Sequence, residues 1–285
     1  MYSTEFIDYK MKKTIAKKGR VIIAGAGPGD PELLTIKALR WLQQADVIIT
    51  DRLVSDVILT EYANKNALVL HAGKQCRKSA STPQEIINEL LVDYALQGKL
   101  VVRLKGGDVS FFSNIFDELE ALVRHGIDYE IIPGVTAASG AAAYAGIPLT
   151  ARNHSSAVRF ITYYKADLLD EDYWKELAQT ADTLVFYMSS DNTDAIIEKL
   201  TRNHISPEIH IAVIEQATTP MQHVTSAKFY EYAQKFKHSN YVSPTLIIIG
   251  KVASLHKQFQ WLANSNSRQS YFNPVNEKAK TAARA

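Results

Sequence analysis

Short apolar runs alternate with stretches of helical periodicity through the first half of the chain. Residues 21–24 are wholly apolar and run into Gly25-Ala26-Gly27-Pro28-Gly29. Leu34, Ala38 and Trp41 then recur at helical spacing, with Asp30 suited to an N-cap and Pro31 to the first helical position. Strands are predicted at 46–50, 100–104 and 129–132, and a helix is predicted to open at Thr82-Pro83-Gln84-Glu85. Residues 137–146 are almost all Ala and Gly, a helix into which a neighbouring backbone or a ligand can come close. A connector starting at Ile147-Pro148 leads to a second block, with strands predicted near 158–163, 183–188, 210–215 and 244–250 and helices between them. Strands separated by helices predict an α/β fold of two domains, the first with a mainly parallel sheet.

Length supports the division, since 285 residues exceed what one core usually holds. The expected organisation is a flexible basic arm over 1–19, an N-terminal α/β domain over 20–150, a C-terminal α/β domain over 151–258 and a disordered tail over 263–285. The net charge of +2 hides an asymmetry. The two ends carry about +4 and about +3, which leaves the body near −5. No aromatic-interleaved basic stripe suggests nucleic-acid binding. No apolar run is long enough for a membrane span, and no signal segment opens the chain. One cysteine, Cys76, excludes an internal disulfide and fits a reducing compartment, so a cytoplasmic location is expected. The histidines, among them His71, His154 and His210, lack zinc-ligand spacing, and no metal is expected.

Candidate chemistry lies at the strand ends, because ligands of open α/β sheets bind beyond the carboxyl ends of the strands. Four such places fall in the first block: 25–30, Asp51, 105–108 and 133–137. The first resembles a dinucleotide loop, but Asp30 stands where that fingerprint needs glycine, and its carboxylate competes with a phosphate for the helix amides. Glu32 adds negative charge, so the loop suits a phosphate-free, cationic ligand. Taken alone, it is equally an ordinary tight turn.

Together the motifs resemble the uroporphyrinogen-III C-methyltransferases, within the wider precorrin methyltransferase family. The matching segments are Ala24-Gly25-Ala26-Gly27-Pro28-Gly29-Asp30-Pro31, Thr50-Asp51-Arg52-Leu53-Val54, Gly73-Lys74, Arg103-Leu104-Lys105-Gly106-Gly107-Asp108, Pro133-Gly134-Val135-Thr136-Ala137 and Tyr144-Ala145-Gly146-Ile147-Pro148. Weaker matches follow at Val185-Phe186-Tyr187-Met188, Glu215-Gln216-Ala217-Thr218 and Gly250-Lys251-Val252. The resemblance implies a cofactor cleft between two α/β domains, a homodimer, and S-adenosylmethionine as methyl donor to a small-molecule tetrapyrrole. It implies cofactor contacts at Pro28, Gly106, Gly107, Asp108, Phe111, Thr136, Ala137, Met188 and Ala217. It makes Asp51 the proton acceptor and Lys74 the proton donor. The implied reaction is two C-methylations of uroporphyrinogen III to precorrin-2, toward sirohaem and cobalamin.

The eight carboxylates of that substrate require local cations, and Lys74, Arg77, Lys78, Arg103, Lys105, Arg152 and Arg159 are candidates. The pattern breaks at Val109-Ser110-Phe111-Phe112-Ser113-Asn114-Ile115-Phe116-Asp117-Glu118, where the family's proline, glycines and arginine are absent and Asn114 takes the arginine's place. Arg77 or Lys78 is a candidate replacement for that charge. The break keeps two further readings open: methylation at another ring carbon of a corrin precursor, and a non-catalytic binder. A nicotinamide-dependent oxidoreductase is disfavoured by Asp30.

Overall fold

Alternation within each strand decides which layer its side chains join. In the computed structural model, which describes residues 18–72, 82–164 and 169–272, the first sheet is built from β1 (Arg20–Gly25), β2 (Val47–Thr50), β3 (Leu68–His71), β4 (Leu100–Lys105) and β5 (Asp128–Ile132). Their order is β3-β2-β4-β1-β5, and every pairing is parallel. Val21 and Ile23 face one core with α2 (Gln84–Leu96) and α3 (Ile115–Arg124), whereas Ile22 and Ala24 face the other with α1 (Ile36–Leu42). Burial on both faces explains why 21–24 is apolar without a break.

The helix expected after Asp30 is split. Pro31–Leu33 forms one 3-10 turn, Leu34 is extended, and α1 starts afresh with the Thr35 hydroxyl capping the Ala38 amide at 3.2 Å. The Asp30 carboxylate bonds the Glu32 amide only two residues on, at 2.9 Å, a local turn rather than an α-helical cap.

The second sheet comprises β6 (Val158–Thr162), β7 (Thr183–Tyr187), β8 (His210–Glu215), β9 (His223–Lys228) and β10 (Thr245–Gly250) in the order β6-β7-β10-β8-β9. It is mixed: β6 pairs parallel with β7, and the other pairings are antiparallel. One face packs on α5 (Glu171–Gln179), α6 (Thr193–Arg202) and α7 (Phe229–Lys235). The other is covered by α4 (Ala137–Ala145), through Ala138, Ala141, Ala142 and Ala145. The chain passes from the first sheet to the second at residues 133–136, ahead of α4.

The ends differ from expectation where they are described. Lys18 already bonds the His125 carbonyl at 2.7 Å and the Gly19 amide that of Ala95 at 2.7 Å. Residues 263–272 are ordered rather than a free tail. Asn264 bonds both backbone groups of Val224 along the β9 edge, and Phe272 is buried. Their polar composition conceals this, because they are held by hydrogen bonds rather than apolar periodicity. Among the described residues, no helix is long and apolar enough to cross a membrane, and no group of three or more His, Cys, Asp or Glu side chains is placed to hold a metal.

Candidate functional site

The four loops named from the sequence meet at the carboxyl edge of the first sheet. Gly27 and Gly107 exchange backbone hydrogen bonds at 3.1 and 2.7 Å. A Cβ on Gly134 would lie 2.3 Å from the Gly107 carbonyl oxygen and 2.9 Å from the Gly25 backbone, so only glycine permits this approach. Asp51 joins its loop to the cluster: its carboxylate accepts from the Leu53 amide at 3.0 Å and the Gly106 amide at 3.3 Å. Asp108, almost fully buried, accepts from the Ser110 and Gly134 amides, each at 2.8 Å. Both acids thus act locally as clamps, and Asp51 remains half-buried at the mouth.

The second sheet closes the opposite side. Thr218 at the end of β8 takes the Asp30 amide on its hydroxyl at 3.0 Å, and the other Asp30 oxygen receives the Tyr144 hydroxyl. Burial, with that bond to Asp30, pushes the Tyr144 phenol up to about 12. Glycine at 140 admits the facing loop, since a Cβ there would meet the Pro28 ring at 2.5 Å. Tyr187 at the end of β7 bonds the Thr136 hydroxyl at 2.8 Å and the Ala138 amide at 3.0 Å, which fixes the start of α4. Desolvation raises its pKa and keeps it neutral for those bonds. Phe112 packs on Tyr187 and Phe111 edge-on to Phe160, which fastens the 108–114 loop of the first sheet to the second.

These contacts locate the residues singled out from the sequence. Pro28, Gly106, Gly107, Asp108, Thr136 and Ala137 fall within the loop cluster and the start of α4. Phe111 and Met188 keep 39% and 43% of their surface exposed beside it, while Ala217 is buried against the α4 face. A Cβ on Gly107 would meet nothing nearer than the Ala137 amide at 3.7 Å, so the backbone there borders open space. Non-glycine residues with positive φ gather around this region: Phe112 (52°), Met188 (54°), Gln216 (48°) and Thr218 (65°). Such conformations persist where surrounding structure enforces them and concentrate at ligand sites. Lys74, with Gly73, Cys76, Arg77 and Lys78, lies outside the described residues.

Three of the proposed substrate cations are already engaged. Arg103 and Lys105 alternate onto the α3 face of β4, where both bond Glu118 Oε1, at 3.0 and 2.8 Å, and all three are buried. Desolvation, with the Arg103 charge, lowers the pKa of Lys105. Arg159 pairs with Asp182 and Glu176. Charge counting finds cations but not partners many residues away in sequence. Arg152 remains exposed. Tyr187, Thr218 and Phe160 were missed as site residues. Tyr187 and Thr218 lie within the weaker matching segments, whereas no sequence signal marks Phe160.

The family profile described as Tetrapyrrole (Corrin/Porphyrin) Methylases matches residues 20–233. The siroheme synthase of Acinetobacter baylyi is 44% identical over 260 residues, 91% of this chain and 56% of that protein, and the siroheme synthase of Pseudomonas paraeruginosa is 45% identical over 85% of this chain and 52% of its own. The chain thus spans about half the length of these relatives. The uroporphyrin-III C-methyltransferase of Thermus thermophilus superposes with a TM-score of 0.71 at 33% identity, covering 86% of this chain and 98% of that one. The same enzyme has been solved with S-adenosylhomocysteine, at a TM-score of 0.69, covering 83% of this chain and 100% of that one. A cobalt precorrin-4 methyltransferase gives 0.72 at 28% identity, covering 82% of this chain and 95% of that one. With a profile matching residues 20–233 and relatives 44–45% identical over most of its length, the chain belongs to the tetrapyrrole methylase family.

Proposed function

We propose that the protein is an S-adenosylmethionine-dependent methyltransferase that C-methylates uroporphyrinogen III twice, giving precorrin-2 for sirohaem or cobalamin synthesis. The observation that carries this reading is the space beside the Gly107 backbone, bordered by the Ala137 amide, with Asp51 anchored on the adjoining Gly106 amide and Phe111 and Met188 left partly exposed in neighbouring segments. Its chemistry fits the cofactor. Apolar side chains suit an adenosine, and the Asp30 and Asp108 carboxylates, already bonded to backbone amides, make the surroundings unfavourable to phosphate. S-adenosylmethionine supplies an electrophilic methyl group on a sulfonium. Alignment dominates such a transfer, and the stapled loops provide a fixed wall for it. Asp51 accepts the proton that the methylated ring must lose. The resemblance to the family, through the Gly73-Lys74 match, makes Lys74 the proton donor.

A cytoplasmic homodimer completes the reading, supported by the family likeness and by the single cysteine. Methylation at another ring carbon is the second reading, favoured by the near-equal TM-score of the precorrin-4 enzyme and by the altered 109–117 segment. Calorimetry tests the cofactor assignment. S-adenosylhomocysteine is expected to bind, NADH is not, and Gly107→Ala is expected to weaken the former at least about tenfold by filling the space. Binding of NADH in place of S-adenosylhomocysteine would refute the assignment.

A further inference from the structure

Residues 264–272 run from the β9 edge past the end of β8 to the first domain. The Ser265 amide bonds the Gln222 carbonyl at 2.8 Å. Arg268 then reaches two places: one guanidinium nitrogen bonds Glu215 Oε2 at 3.1 Å, and another bonds the Asn240 carbonyl at 2.7 Å. Glu215 is 2% exposed, and its other oxygen accepts the Val242 amide at 2.6 Å. The next side chain, Gln216, is 1% exposed and gripped at both ends. Its amide nitrogen donates to the Gln269 carbonyl at 2.9 Å, and its amide oxygen accepts from the Tyr271 amide at 2.6 Å. Finally the Tyr271 hydroxyl meets the buried Ser55 hydroxyl at 2.7 Å, four residues beyond Asp51.

We infer that Tyr271 is a positioning residue, and that residues 264–272 form a strap holding the 215–218 loop in its cleft-facing conformation and tethering it to the loop that carries Asp51. The inference rests on the cofactor cleft proposed above. Gln216 and Thr218 both adopt left-handed backbone, which ordinary side chains hold only under external constraint. Ala217 sits between them, and Thr218 takes the Asp30 amide. The strap supplies the constraint at Glu215 and Gln216. Without it, the loop spends less time in the arrangement that binds cofactor, and apparent affinity falls by the lost fraction.

Deleting the strap would also expose core, so the test uses Tyr271→Phe and Ser55→Ala, which remove only the hydroxyl pair. With S-adenosylhomocysteine as probe, each variant is expected to raise Kd about fivefold, the weight of one hydrogen bond. The double variant is also expected to show about fivefold, because the two changes delete one shared bond. Amide exchange of the unliganded protein is expected to quicken at 51–55 and 215–219 in Tyr271→Phe. Unchanged affinity in all three variants, or losses that simply multiply, would overturn the strap. If the unaltered protein binds no S-adenosylhomocysteine, the methyltransferase reading fails, and exchange alone decides the strap: faster exchange in both segments upholds it and unchanged exchange overturns it.

Discussion

Asp51 and Glu118 show how one chemical group, the carboxylate, serves opposite ends beside the same strand. Asp51, the proposed proton acceptor, is held by two amides, so Asp51→Asn keeps an acceptor for the Leu53 amide but removes the proposed base. The expected result is a fall in kcat of about 10²–10⁴-fold, with S-adenosylhomocysteine affinity changed less than about threefold. An unchanged kcat in steady-state assays would remove Asp51 from the chemistry. Glu118 instead is the shared counter-charge of two buried cations. Glu118→Gln leaves both without a counter-charge and is expected to cost about 3–5 kcal/mol in denaturant unfolding, whereas apolar replacement of all three residues costs far less. Lys105 adds a pH signature. Its lowered pKa means the unfolded chain binds that proton more tightly, so its contribution to stability rises as pH climbs toward the ordinary lysine value of 10.5. The stability of the wild type relative to Lys105→Met should therefore increase with pH across that range, and a flat difference would contradict the assignment. The position of Asp51 at a strand end was legible in sequence. The engagement of Arg103 and Lys105 was not, because Glu118 lies 15 and 13 residues away along the chain.

At the level of elements, β1 and β2 were legible because burial on both faces writes itself as unbroken apolar runs. The two missed strands, β3 and β9, lie at sheet edges, where short or alternating sequences suffice. The split after Asp30 escaped because Thr35 offers a second cap, and the local bond from Asp30 to Glu32 ends the first turn early. Loop convergence yields a direct prediction. Gly134→Ala drives a Cβ into the Gly107 backbone, and calorimetric melting is expected to register a loss of about 3 kcal/mol. A neutral outcome would mean that the loops are not packed together as described. Asn114, in place of the family's arginine, has φ of 55° at the start of α3. Asn tolerates that region, so Asn114→Ala should cost about 1 kcal/mol and Asn114→Gly almost nothing by the same measurement. The altered segment therefore retains a defined turn without the family's glycines.

The whole molecule joins two sheets of different pattern through a helix of small residues, an aromatic contact and a strap. Its apolar body, parallel first sheet and loop cluster followed from the sequence. The second sheet's mixed pairing and the ordered 263–272 segment depend on hydrogen bonds between distant residues, which apolar patterning does not record. The most direct test of the proposed reaction is anaerobic incubation of the protein with uroporphyrinogen III and labelled S-adenosylmethionine, followed by the mass of the product. A gain of two methyl groups is expected. No methylation, with S-adenosylhomocysteine still bound in calorimetry, would contradict it.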